Sequence, residues 1–142
     1  MKIWYSCKIK SYRESEDGLL KQVTDVYLVD AVSYTEAETR MNEQVGAQTP
    51  GEWSITNITK TNYSEVINYE DVDTWYKCKI TYATVDGDTE KEVKVTTYYL
   101  VSASSTKEAY ERTEDNLSSM LVPFEIPAVR ITNIYDVLFF NK

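Results

Sequence analysis

Trp4-Tyr5-Ser6-Cys7-Lys8-Ile9 is answered later in the chain by Trp75-Tyr76-Lys77-Cys78-Lys79-Ile80, at an offset of 71 residues. The chain has 142 residues, so this offset is half its length and the sequence reads as two copies of one unit. Further blocks follow in the same order. Tyr27-Leu28-Val29-Asp30-Ala31 matches Tyr99-Leu100-Val101-Ser102-Ala103 at an offset of 72. Ser33, Glu36, Ala37 and Arg40 then match Ser105, Glu108, Ala109 and Arg112. Ile55-Thr56-Asn57-Ile58 returns as Ile131-Thr132-Asn133-Ile134, an offset of 76. On this reading the offset grows at the first hairpin and again after the helix, in loops, where added length costs little closure entropy. Two copies are too few for a solenoid. The expectation is one domain, residues 1–142, made of repeats 1–71 and 72–142 about a pseudo-twofold axis, each half covering the other's apolar surface.

Within each copy the hydrophobic period changes from two to about four. Ile3, Tyr5, Cys7 and Ile9 alternate with Trp4, Ser6, Lys8 and Lys10, the pattern of a half-buried strand over residues 2 to 13. Asp17-Gly18 makes the turn, and a second strand covers 19 to 31. Ser33 with Glu36 forms a capping box, and Ala37, Met41 and Val45 line one side of the helix that follows. Gly46 and Pro50-Gly51 end it, and residues 52 to 69 form one long strand or two short ones. In the second copy the strands cover 74–85 and 91–103, with Asp86-Gly87 at the turn. Ser105 and Glu108 cap a helix lined by Ala109, Leu117, Met120 and Leu121, and 128–140 form a last strand. Each unit therefore reads ββαβ. The fold class is α+β, with antiparallel pairing in one continuous or two paired sheets and both helices packed on one side.

Composition bounds the chemistry. Charged residues make up 27% and hydrophobic residues 42%, the balance of a globular chain, and the net charge is −8. That sign argues against non-specific binding to a phosphate backbone. There is no histidine, which removes the commonest general base and metal ligand, and no Cys-x-x-Cys or glycine-rich phosphate loop. No enzyme activity, metal or cofactor is expected. No hydrophobic leader or membrane span is seen, so the expected place is a reducing bacterial cytoplasm with Cys7 and Cys78 as free, buried core thiols. The other reading of Cys7 and Cys78 is a thiol pair on the pseudo-twofold axis.

Two surfaces are candidates for binding. The helices carry acids on their outer faces: Glu36, Glu38 and Glu43 in the first, Glu108, Glu111, Glu114 and Asp115 in the second. Such a surface suits a cationic partner protein or ribonucleoprotein. The alternative is a single-stranded nucleic-acid or nucleotide site on the first strands. There Trp4 lies beside Lys8, Lys10 and Arg13, and Trp75 beside Lys77 and Lys79. Stacking on a ring with phosphates on the cations is how such sites work. Against it stands a buried Trp under a helix, with the lysines reaching past it.

The Trp-Tyr-x-Cys-Lys-Ile motif of each half, with Tyr-Leu-Val-x-Ala and Ser-x-x-Glu-Ala after it, resembles a family of uncharacterised small proteins of Bacteroidetes-type bacteria and their phages. What the resemblance implies is context: a phage or prophage gene acting in a bacterial host. With it, the expected function is a non-catalytic binding protein that engages and inhibits a host protein such as an anti-phage defence effector. A monomer and a homodimer are both compatible. Phe139 and Phe140 of the last strand are either core or, in the homodimer as an oligomer-forming module, the interface.

Overall fold

The computed structural model describes residues 3–140; Lys2, where the first strand was expected to start, lies outside them. Alternation in the sequence becomes two long hairpins. β1 (Ile3–Glu14) pairs antiparallel with β2 (Leu20–Ala31), Tyr5 opposite Val29 and Cys7 opposite Tyr27. Gly18, at φ +80, supplies the left-handed residue of the turn. The matching hairpin joins β5 (Trp75–Val85) to β6 (Glu92–Ser102), with Tyr76 opposite Val101 and Cys78 opposite Tyr99.

Both capping boxes form. Ser33 Oγ accepts the Glu36 N–H at 3.1 Å, and Glu36 Oε1 accepts the Val32 N–H at 3.1 Å. Ser105 Oγ and Glu108 make the same exchange, Glu108 Oε1 taking the Ser104 N–H at 2.9 Å. Thus α1 (Tyr34–Gln48) and α2 (Thr106–Asn116) start at equivalent residues and end differently. α1 runs two residues past Gly46, where an added Cβ would lie 3.6 Å from the Trp53 ring. α2 stops before the expected lining residues Leu117, Met120 and Leu121. Leu117 turns its N–H back to Thr113 and Glu114, and Leu121 is 99% exposed.

After each helix the chain makes two short strands, and they belong to different sheets. β3 (Ser54–Lys60) pairs with β1, while β4 (Tyr63–Ile67) pairs parallel with β6. Likewise β7 (Phe124–Ile131) pairs with β5, while β8 (Ile134–Leu138) pairs parallel with β2. The sheets are therefore mixed rather than antiparallel, in the orders β3-β1-β2-β8 and β4-β6-β5-β7. Two compact units result. Unit 1 holds residues up to Thr61 together with those from Asn133 onward, and unit 2 holds Asn62–Thr132. In each unit the fourth strand comes from the other sequence repeat.

The strand registers correct the alignment of the copies. Cys7 faces Ile58 and Cys78 faces Val129; Val29 faces Leu138 and Val101 faces Ile67. The segments after the helices therefore correspond at an offset of 71, not 76. Thr61 is the counterpart of Thr132. Both donate N–H and hydroxyl to the carbonyl of the opening tryptophan, Trp4 or Trp75. The Ile-Thr-Asn-Ile match at 76 is a coincidence of β-prone composition.

Each helix covers one face of its own sheet. In unit 1 Ala37, Met41 and Val45 pack on Tyr5, Cys7, Ile9, Val29 and Ala31. In unit 2 Ala109 packs on Tyr76, Cys78, Val101 and Ala103. Each thiol is thus wholly buried in the core of its own unit, as alternation requires. The opposite sheet faces are buried too, at Trp4, Leu28 and Val137 and at Trp75 and Leu100.

Candidate functional site

The acidic residues of the helices divide into two kinds. Glu36 and Glu108 are structural: each closes a capping box and pairs with an arginine one turn on, Arg40 at 3.2 Å and Arg112 at 3.3 Å. Glu111, Glu114 and Asp115 lie exposed on the side of α2 away from buried Ala109 and Thr113. Lys107 is the base on that side, 4.0 Å from Glu111. Glu38 and Glu43 are exposed on α1, but they are separated by Thr39 and Asn42 and form no comparable stripe.

The tryptophans and lysines fall otherwise. Trp4 and Trp75 sit on the sheet faces away from the helices, each 4% exposed. Trp4 meets the Phe139 ring edge-on at 5.3 Å. Neither indole offers a face for a base, so the stacking platform expected of the alternative site is not there. Two of its five cations are engaged by other groups. Arg13 pairs with Asp25 and covers the Tyr135 ring at 5.1 Å. Lys77 lies over the Tyr98 and Tyr63 rings, at 4.5 and 5.4 Å. Lys8 is exposed; Lys10 and Lys79 are half-buried.

The arginines of the repeat carry a role that alternation and charge counting missed, although the Arg40–Arg112 match pointed to them. Arg40 donates to the Asp30 carbonyl at 2.5 Å, lies 3.6 Å from the Asp30 carboxylate and covers the Phe140 ring at 5.1 Å. Arg112 donates to the Ser102 carbonyl at 2.8 Å, pairs with Asp71 at 3.0 Å and covers the Tyr69 ring at 4.1 Å. Phe140 follows β8 as Tyr69 follows β4. The two side chains that receive these segments are equivalent as well. Asp30 Oδ1 accepts the Phe140 N–H at 2.8 Å, and Ser102 Oγ accepts the Tyr69 N–H at 2.6 Å. Arginine and acceptor together latch the end of each fourth strand.

Both units also carry a groove at the mouth of the sheet, lined at equivalent positions. In unit 1 it is about 450 Å³, between Lys10 and Tyr12 of β1 and the Gly51–Ser54 segment. In unit 2 it is about 350 Å³, between Thr81, Tyr82 and Ala83 of β5 and Pro123, Phe124 and Glu125, with Glu92 and Lys94 on its rim. Among the described residues no group of three or more acidic or cysteine side chains is arranged to hold a metal, and no helix is long and apolar enough to cross a membrane.

The fold and its surfaces define a duplicated α+β protein of two four-stranded mixed sheets, each carrying one helix. The chain belongs to the family described as a domain of unknown function (DUF4494), which spans residues 3–140. No curated protein and no solved structure matches it.

Proposed function

We propose that this chain is a non-catalytic binding protein that engages a partner protein or nucleoprotein through the acidic surface of unit 2. The observation that carries the reading is the outer face of α2. There Glu111, Glu114 and Asp115 are all exposed on one side, where solvated carboxylates attract a cationic surface and speed its docking. Charge over the units supports it. Residues 62–132 hold thirteen acids and seven bases, against ten and eight in the rest of the chain. The excess thus sits mainly in one unit. The absence of histidine from the sequence favours binding over acid–base catalysis. The sequence resemblance supports a phage origin and a host defence effector as the target.

The test is affinity capture from a lysate of the source cells, with and without nuclease, using the chain and a triple variant, Glu111→Lys, Glu114→Lys and Asp115→Lys. Glu108 is left alone because it caps α2 and pairs with Arg112. The expected result is a protein captured by the parent in both arms and weakened about tenfold or more by the variant. Equal capture by parent and variant would remove the reading. A partner lost on nuclease treatment would shift it to a nucleoprotein.

A further inference from the structure

We infer that the unit 2 groove receives an extended segment of the partner in which basic and aliphatic residues alternate, added as a strand to the open edge of β5. This rests on the partner-binding reading and says how one part of the partner is held.

The edge is open because the two strands differ in length. β5 continues to Val85, but its ladder with β7 ends where Tyr82 faces Phe124. The next residue back from β7 is Pro123, which has no N–H to give and cannot carry the ladder further. On the other side of β5 the Asp86 N–H bonds to the Lys91 carbonyl, and antiparallel bonds alternate. Ala83 and Val85 therefore turn their N–H and C=O groups toward the groove. An incoming strand finds donors and acceptors in the geometry a sheet uses.

The side chains specify what that strand carries. The register puts Thr81, Ala83, Glu92 and Glu125 on one face, with Lys94, and Tyr82 and Phe124 on the other. Successive residues of an added strand point to alternate faces. Basic residues thus meet the Glu92 and Glu125 carboxylates, and aliphatic ones meet the two rings. Beside the groove Leu121 is 99% exposed and Val122 38% exposed, apolar surface in position to meet the same segment.

Unit 1 supplies the internal comparison. Its groove sits at equivalent positions, but Lys10 stands where unit 2 has Thr81, Leu20 where it has Glu92, and Ser54 where it has Glu125. Unit 1 has one carboxylate in its groove, Glu52, at the Pro123 position and with Lys10 also on the lining; the Glu92 and Glu125 pair is particular to unit 2.

The probe is a capped synthetic peptide alternating lysine and valine, titrated at low salt into the full ¹⁵N-labelled chain. Saturable amide shifts confined to Ala83–Val85, Glu92–Lys94 and Phe124–Glu125 are expected. Glu92→Lys with Glu125→Lys, both exposed positions, weakens binding about tenfold. A peptide N-methylated at alternate residues does not bind, because the edge bonds are blocked. Shifts that are absent, that spread over the acidic surface without saturating, or that persist with the methylated peptide would overturn the proposal. The α2 triple variant separates the two readings. Peptide binding is retained there if the groove acts on its own, whatever becomes of partner capture.

Discussion

Cys7 and Cys78 hold equivalent places in strand and register, yet their neighbours differ. The helix position over Cys7 is Met41; its counterpart over Cys78 is Thr113, whose hydroxyl lies 3.2 Å from the sulfur and donates to the Ala109 carbonyl. Burial pushes the Cys7 thiol up to about 12 and raises Cys78, the latter opposed by the Thr113 hydroxyl. Burial likewise raises Tyr27, Tyr63 and Tyr99. Every one of these groups keeps its proton longer when folded than when unfolded. For Cys7 the contribution is therefore intact below the unfolded thiol value of 9.0 and is lost between there and about 12. Urea unfolding should show stability falling as pH rises past 9, with Cys7 accounting for at most about 1.4 kcal/mol per pH unit. Cys7→Ala should flatten that fall relative to the parent; identical slopes would contradict it. At this scale alternation sufficed to turn the cysteines inward. It placed Trp4 on the other face correctly, but pattern alone does not say whether that face is covered. Leu121 misled because its spacing fits the helix, whereas Asn116, Ser118 and Ser119 compete with helical hydrogen bonding and α2 stops.

At the scale of elements, the first strands, hairpins and helix starts were legible because each has a local cause: alternation, a turn residue, a capping box. The break between β3 and β4 was open in sequence between one strand and two, and the break between β7 and β8 was not legible. Lys60-Thr61-Asn62-Tyr63 holds no glycine or proline, and β-prone residues stand on both sides of Asn62. The last rung of β3 is the bond from Thr61 to the Trp4 carbonyl, beyond which the chain leaves for the other sheet, and the same holds for Thr132 and Trp75. The capping acids Glu36 and Glu108 were legible from their spacing after Ser33 and Ser105, but their pairing with Arg40 and Arg112 was not. The latches on the fourth strands make a prediction of unequal cost. Arg40 faces a carboxylate that is fully buried, whereas Arg112 faces the neutral Ser102 and an Asp71 that is 63% exposed. Arg40→Ala should destabilise by about 3 kcal/mol or more, the cost of breaking a buried ion pair. Arg112→Ala should cost about 1–2 kcal/mol, the range of a lost charged hydrogen bond and an exposed pair. Equal losses in urea titrations would mean that the Asp30 carboxylate does not depend on Arg40.

For the molecule as a whole, the duplication was readable because short identical blocks recur in order. The exchange of fourth strands was not readable, since a parallel pairing across the repeats leaves no local mark in sequence. Yet it decides how the chain holds together. The first repeat supplies β4 to unit 2 and the second supplies β8 to unit 1, each strand latched at its end. The connector at Glu70–Asp73 is then not needed to keep the pieces associated. The direct measurement is to insert a protease site between Val72 and Asp73, purify the intact chain, cut it to completion and size it in native buffer. Reciprocal strand exchange predicts one species at the mass of the uncut chain, separating only when urea unfolds it. Two smaller species in native buffer would contradict it.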